Sequence, residues 1–129
     1  MATSSTTGAK PIILAYSGGL DTSFLVPWVA EHHGRPVITV TVDTGGIDAQ
    51  AARTLEERAR ELGAIAHYQV DARADYYEQV LRFLIMGNVR RGQLYPLCVG
   101  AERVMRVARS GRDGTEQHEQ RRPCEIDEP

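Results

Sequence analysis

Three short apolar runs alternate along the chain with segments in which apolar residues recur every three or four positions. The runs cover residues 11–16, 36–42 and 65–70, and each is typical of a strand buried on both faces of a sheet. The second run, PVITVTV, has the strongest β pattern because Val, Ile and Thr dominate it. The pattern therefore predicts three strands.

Helical periodicity fills the segments between these runs. It predicts helices over residues 21–34 and 48–63, over about 77–87, and over a shorter segment of about 99–109. Alternation of strands and helices predicts an α/β fold, a parallel twisted sheet with right-handed crossovers and helices on both faces. Three strands are fewer than most open parallel sheets contain, so we expect an incomplete sheet.

Composition divides the chain into three parts. Residues 1–9 are a small, polar and flexible leader, residues 10–109 form the predicted α/β domain, and residues 110–129 form a polar tail. Ile126 is the only large aliphatic residue in that tail. Because so little apolar surface cannot offset the entropy lost on ordering a segment of this length, we expect the tail to be disordered.

Charge and hydropathy exclude several classes of protein. Fifteen basic and 17 acidic residues give a net charge of −2, and 42% of the residues are hydrophobic, which argues against wholesale disorder and against a nucleic-acid-binding tail. No apolar run approaches the roughly 18 residues of a membrane span, and the N-terminus lacks the features of a secretory signal. The two cysteines, Cys98 and Cys124, have the spacing of neither a disulfide framework nor a zinc site. We therefore expect a cytoplasmic protein that does not cross a membrane, does not bind nucleic acid and has no metal-ligating residues.

Residues 17–23, with the sequence SGGLDTS, join the first predicted strand to the first predicted helix. Such a loop opens at the carboxyl end of a parallel strand, where open α/β sheets bind ligands. Adjacent glycines let the backbone approach an anion, and the helix start contributes N–H groups and partial positive charge. The loop therefore favours phosphate binding, although the same residues also suit a tight turn followed by a helix cap. Asp43, at the end of the second strand, is a candidate for the same binding site and, equally, for an ordinary turn aspartate.

Two commoner phosphate-binding motifs do not fit the loop. A Walker A loop needs Gly-Lys followed by Ser or Thr, and the only lysine, Lys10, follows Ala9. The dinucleotide fingerprint needs a spaced glycine triplet, whereas Gly18 and Gly19 are adjacent. The loop belongs to neither of these two classes.

The longer stretch AYSGGLDTS, residues 15–23, resembles the pyrophosphate-binding loop of the argininosuccinate synthase family. The shorter pattern SGG-x-D-[ST] is shared by the wider group of ATP pyrophosphatases, so the longer form is the more specific signal. Further agreement lies in the Gly45 loop after the second strand, in Leu62-Gly63-Ala64, and in Tyr95-Pro96-Leu97 before a helix. The resemblance extends over about residues 11–103.

This resemblance implies a binding site for ATP with Mg²⁺, and contacts to citrulline. The implied ATP-binding residues are Ala15, Tyr16, Ser17, Gly18, Gly19, Leu20, Asp21, Thr22 and Ser23, with Val42 facing adenine. The implied citrulline-side residues are Tyr95, Gly100 and Arg103. Without the resemblance, Tyr95 is typical of a core aromatic residue beside a turn proline. Cys98 and Val99 depart from the Gly-Thr-like residues that the family usually has at these positions.

The resemblance also implies an activity, the ATP-dependent ligation of citrulline and aspartate to argininosuccinate in arginine biosynthesis, with release of AMP and pyrophosphate. Members of the family form homotetramers. Their later segments, including an Asn-Asp-Gln-Val-Arg-Phe-Glu run and a tetramerising C-terminal helix, have no counterpart in these 129 residues. We therefore expect the chain alone to be inactive, and no residue is identified as a general base. The alternatives are a non-catalytic ATP-binding fragment and another ligase of the ATP pyrophosphatase group.

Overall fold

A computed structural model of the chain describes residues 9–88, 90–91, 95–96 and 98–120. The first half contains, in order, β1 (Ile12–Ala15), α1 (Leu20–His33), β2 (Val37–Asp43), α2 (Ala49–Glu61) and β3 (Ala66–Asp71). The second half contains α3 (Arg73–Tyr76), a π-helical segment (Tyr77–Leu81), α4 (Arg82–Met86), β4 (Arg90–Arg91), β5 (Tyr95–Pro96) and α5 (Cys98–Gln120). The three predicted strands are confirmed.

The three long strands form one parallel sheet in the order β1-β2-β3. Ile13 of β1 lies beside Ile38 of β2, and Val40 of β2 lies beside Tyr68 of β3. All seven residues of β2 are buried, as expected for the central strand of a sheet that is covered on both faces. The short strands β4 and β5 form a separate antiparallel pair.

Helices cover both faces of this sheet, which confirms the predicted α/β architecture. On one face, Val37 of β2 packs in a buried cluster with Val26 of α1 and Ala59 of α2. On the opposite face, Val40 belongs to a second buried cluster, against which Met105 of α5 packs. Because successive residues of a strand point to opposite faces, β2 supplies apolar surface to both layers.

Helix α1 runs without interruption through Pro27 and ends at Gly34, whose φ of 59° is the left-handed conformation that favours glycine. The helix buries Val26 fully, whereas its large apolar residues Phe24 and Trp28 remain exposed. The periodicity thus predicts the helix but not which of its apolar residues lie against the sheet.

The segment after β3 is helical, as predicted, but its hydrogen-bond pattern changes twice. A π-helical segment, Tyr77–Leu81, separates α3 from α4. Tyr76 is buried at the end of α3, while Phe83 and Ile85 of α4 are exposed. Apolar spacing carries no signal for a π-helical insertion, so the sequence predicts only the helical character of this segment.

The last helix is longer than predicted. It does not end near Arg109 but continues to Gln120, so the expectation that disorder begins at Ser110 does not hold for residues 110–120. Ser110 and Gly114 are buried in this half of the helix, and Gly114 lies against β1 and β2. Small residues here allow close contact between helix and sheet. The expectation of disorder rested on the scarcity of large aliphatic side chains, and a contact of this kind does not require them. The leader residues 1–8 and residues 121–129 lie outside the described part of the chain.

Helix α5 has 23 residues, but many of them are charged or polar. Within the described ranges, no helix combines the length and the apolar character that crossing a bilayer requires.

Candidate functional site

The loop between β1 and α1 depends on glycine at position 18. Gly18 has a φ of 75°, a left-handed conformation, and a Cβ atom at this position would collide with the side chain of Leu55 on α2. Arg58, one turn further along α2, donates a hydrogen bond to the carbonyl oxygen of Gly18 at 3.2 Å. Helix α2 therefore supports the loop through one apolar and one polar contact.

Side-chain hydroxyls hold the loop against the first turn of α1. The Oγ of Ser17 lies 3.2 Å from the Oγ1 of Thr22, and the backbone N–H of Gly19 donates to Ser17 Oγ at 3.4 Å. Thr22 Oγ1 in turn donates to the carbonyl oxygen of Gly19 at 3.3 Å. On the buried side, the hydroxyl oxygens of Ser23 and Tyr16 are 3.5 Å apart. The loop is thus preformed by its own side chains.

The start of α1 has no side-chain cap. Its N-cap residue is Gly19, in extended conformation, and within the described part of the chain no side chain bonds to the first amides of the helix. By contrast, α2 is capped by Asp48, whose carboxylate accepts from the N–H of Ala51 at 2.7 Å. Uncapped N–H groups and the positive end of the helix dipole together suit an anion, which favours the phosphate-binding explanation of the loop over the capping explanation.

A cleft of about 570 Å³ opens between this loop, β2 and α5. The structure brings six of the sequence-predicted site residues to its walls: Ala15, Tyr16, Ser17, Thr22, Val42 and Arg103. Thr41 of β2 also lines the cleft, and its hydroxyl donates to the carbonyl oxygen of Tyr16 at 2.7 Å, which ties the end of β1 to β2. The wall formed by β2 is mainly apolar, through Val40 and Val42, whereas the loop supplies hydroxyls and α5 supplies cations.

Other predicted residues lie elsewhere. A second, shallower depression on the outer side of the loop is lined by Gly18, Gly19, Leu20 and Ser23 together with residues of α2. Asp21 is exposed in the first turn of α1.

Among the predicted citrulline-side residues, Gly100 is exposed in α5 and is not one of the residues that line the cleft. The backbone of Tyr95 lies in β5, paired with Arg91. Of Gly100 and Arg103, only Arg103 lines the cleft together with the loop.

A polar cluster of Thr44, Glu102 and Arg106 joins the end of β2 to α5, and the sequence gives no sign of it as a unit. Thr44 Oγ1 donates to Glu102 Oε1 at 2.7 Å, and Arg106 Nη2 lies 3.2 Å from Thr44 Oγ1. Arg106 also forms an ion pair with Glu102. The i,i+4 spacing of Glu102 and Arg106 is a local signal for an ion pair on a helix, but their contact with Thr44 depends on the folded chain.

Asp43 behaves as a turn residue. Its Oδ1 accepts from the N–H of Gly45 at 2.8 Å, and its Oδ2 lies 3.9 Å from Nε of Arg73. It does not line the cleft. Across residues 9–88, 90–91, 95–96 and 98–120, no group of three or more His, Cys, Asp or Glu side chains is arranged to hold a metal ion.

Two ionisable groups on β3 have shifted pKa values. His67 packs edge-on near the ring of Tyr16, with its Nδ1 2.9 Å from Thr39 Oγ1, and burial lowers its pKa below 6.5. Hydrogen bonds from Arg73 lower the pKa of the exposed Asp71 to about 2. Neither group lines the cleft, so both act on the fold rather than on a ligand there.

Comparison with known proteins relates the chain to one family. Residues 11–118 match the model of the Arginosuccinate synthase N-terminal HUP domain. The chain is 47% identical to the argininosuccinate synthase of Xanthomonas axonopodis pv. citri over 95 residues, and 41% identical to that of Pyrobaculum aerophilum over 103 residues. The match to the enzyme of Metallosphaera sedula is 39% over 111 residues.

These matches cover most of the chain but little of each relative. They span 73%, 79% and 81% of the chain and 23%, 25% and 27% of the three relatives, respectively. The chain therefore corresponds to about a quarter of the length of these curated relatives.

Proposed function

Since the chain belongs to the argininosuccinate synthase family, an ATP-dependent ligase family, we propose that it forms the ATP-binding part of such an enzyme. The reaction is the ligation of citrulline and aspartate to argininosuccinate, with release of AMP and pyrophosphate. The observation that carries this proposal is the preformed, uncapped loop of residues 17–19 at the mouth of the 570 Å³ cleft.

Within this proposal, the loop binds the β- and γ-phosphates, which leave as pyrophosphate. The N–H groups at the start of α1 and the hydroxyls of Ser17 and Thr22 are the donors for these oxygens. Val42, at the carboxyl end of β2, provides apolar surface for adenine. Donors that are already in place need no reorganisation when charge develops on the leaving group.

Mg²⁺ fits this site only when the phosphate groups of a nucleotide are bound as well. Mg²⁺ in nucleotide sites is usually held by one or two carboxylates together with phosphate oxygens and water. Asp21, exposed at the start of α1, can supply one such carboxylate. The ion would neutralise charge on the phosphates that the loop holds.

Citrulline lies, in this proposal, near Arg103 and Tyr95, while the aspartate contacts come from outside the 129-residue chain. Arg103 is exposed on α5 and lines the cleft opposite the loop. Ligation requires the citrulline ureido oxygen to be held against the α-phosphate, and misplacement by about 1 Å can reduce the rate about a hundredfold. The chain alone should therefore bind ATP but not complete the reaction.

The second candidate function is a non-catalytic ATP-binding unit. It is favoured by the position of Gly100, a predicted citrulline-side residue that does not line the cleft. Both candidates share the ATP site and differ in whether ligation follows.

Titration calorimetry with Mg-ATP tests the shared ATP site. The variant is Gly19→Val combined with Asp21→Ala, because Gly19 has ordinary φ and only Ser17 Oγ lies near a Cβ there, at 3.4 Å, so the fold should survive. Glu57→Ala, which removes one exposed negative charge from α2, is the matched control. We expect the double variant to lose binding and the control to retain it. Equal binding by all three proteins would overturn the proposed site.

A turnover assay separates the two candidates. The chain is mixed with ATP, citrulline and aspartate, and pyrophosphate and argininosuccinate are measured. We expect neither product from the chain alone. Turnover of about 1 s⁻¹ or more, within the range of ordinary enzymes, would show that the 129 residues contain a complete ligase site.

A further inference from the structure

Arg106 occupies a position in the cleft that neither the sequence motif nor the family resemblance assigns. It lies on α5, one turn after Arg103, and both side chains line the wall that faces the loop. The Arg106 side chain is 39% exposed, whereas its Nε atom is buried.

The donors of Arg106 are only partly used. Nη2 bonds to Thr44 and pairs with Glu102, which fixes the plane of the guanidinium. Nε is buried and has no hydrogen-bond partner among the described residues. A buried donor without an acceptor destabilises a protein, so a ligand oxygen that accepted from Nε itself would remove this cost.

The position of Arg106 indicates which part of a nucleotide it would meet. Its partner Thr44 follows β2 directly, two residues after Val42, the proposed adenine contact. Ser17, on the opposite side of the same cleft, belongs to the proposed site of the β- and γ-phosphates. The α-phosphate is the charged group between adenosine and the β-phosphate, and arginine binds phosphate oxygens through charge-assisted hydrogen bonds.

We propose that Arg106 binds the α-phosphate of the nucleotide in this cleft and so positions the phosphorus atom that citrulline attacks. This inference rests on the proposed ATP site. The ion pair with Glu102 and the contact with Thr44 hold the guanidinium in place before the nucleotide arrives. Arg106 thereby differs from Arg103, which lies on the same wall but is implied by the family resemblance to act on the citrulline side.

Affinities for ATP, AMP and adenosine test the assignment, since AMP retains only the α-phosphate and adenosine has none. They are measured on the 129-residue chain and on Arg106→Gln. Arg112→Gln is the matched control, because Arg112 lies on the same helix, is 63% exposed and does not line the cleft. We expect Arg106→Gln to weaken the binding of ATP and AMP by about tenfold or more, equivalent to about 1.4 kcal/mol, and to leave the affinity for adenosine unchanged. Arg112→Gln should change none of the three.

A purely structural role makes a different prediction. If Arg106 only joined α5 to Thr44, then Thr44→Val and Arg106→Gln would lower the melting temperature by similar amounts. Both variants would also change the affinities for ATP, AMP and adenosine equally. That outcome would overturn the assignment. Should Arg106→Gln fail to fold, Arg106→Lys decides, because it keeps the charge but lacks the planar guanidinium. It should weaken AMP several-fold, and wild-type affinity for AMP would overturn the assignment.

The same measurements separate this inference from the proposed function. If the loop variant Gly19→Val with Asp21→Ala binds ATP as tightly as the wild type, the nucleotide site itself is wrong. If the loop variant loses ATP binding but Arg106→Gln binds ATP and AMP like the wild type, only the role of Arg106 is wrong.

Discussion

Replacing Gly114 with alanine should destabilise the protein, although alanine is the better helix former. A Cβ atom at position 114 would lie 2.6 Å from Cγ2 of Val40 and 3.1 Å from Cγ2 of Ile13. Both neighbours are β-branched residues of the sheet, and Val40 is 1% exposed, so neither side chain has room to turn away. Overpacking of this kind costs about 1–3 kcal/mol, against a helix-propensity gain of about 1 kcal/mol.

Gly111 supplies the matched control three residues earlier in the same helix. Among the residues that the structure describes, no atom lies within 4 Å of a Cβ atom built at this position, and Gly111 is exposed. Gly111→Ala should therefore gain the helix propensity of about 1 kcal/mol without a packing cost. The free energies of unfolding of the two variants should differ by the packing cost alone, about 1–3 kcal/mol.

Urea unfolding followed by far-UV circular dichroism measures this difference, and thermal melts provide an independent check at about 4 °C per kcal/mol. Amide exchange should also show protection within residues 110–120 of the wild type. If both substitutions stabilise the chain equally, Gly114 is not pressed against the sheet. If neither substitution changes stability and residues 110–120 exchange freely, the second half of α5 does not form, and the disorder expected from composition would extend to it.

Two further predictions concern the loop and β3. Gly18→Ala should destabilise the chain by about 1–3 kcal/mol in urea unfolding, since it adds a collision with Leu55 to left-handed backbone strain. Gly34→Ala, with similar φ and open space around it, should cost less, and equal losses would contradict the Leu55 contact. His67 has a lowered pKa in the folded state, so its contribution to stability is present above about pH 6.5 and falls as pH drops below that value. His67→Gln should reduce the change in the urea midpoint between about pH 7.5 and pH 5.5. Replacement of the exposed His33 by Gln should leave this pH dependence as it is.

The elements most accurately predicted by the sequence are those whose signals are local. The strand over residues 36–42 appears within one residue of its predicted bounds, because a continuous run of β-branched residues is typical of a buried strand. The predicted helix bounds at residues 48 and 34 also hold, since Asp48 caps α2 with its side chain and Gly34 ends α1 in a left-handed conformation. The second half of α5 was missed because its contact with the sheet uses Gly114, a residue without a side chain to count.

In the candidate site too, the sequence predicts the residues whose signals are local and not those that depend on long-range contacts. Ser17 and Thr22 could be predicted because a loop between a strand and a helix carries its chemistry within a few consecutive residues. The cluster of Thr44, Glu102 and Arg106 could not, since two segments that are distant in the sequence meet only when α5 lies across the sheet. Long-range polar contacts of this kind leave no periodic pattern in the sequence. The ion pair of Glu102 with Arg106 does leave one, because the two residues are four positions apart on a helix.

The packing of α5 and the geometry of the cleft are linked through the spacing of two residues on one helix. Residues 106 and 114 are eight positions apart, or about 12 Å along the helix axis. At one point the helix is joined to Thr44 at the end of β2, and at the other its backbone lies against Ile13 and Val40. A helix held at two separated points resists pivoting, so Arg106 stays at a defined distance from the loop across the cleft. Gly114→Ala should therefore weaken AMP and ATP binding even though Gly114 does not line the cleft, and unchanged affinities in a folded variant would show that the two contacts are independent.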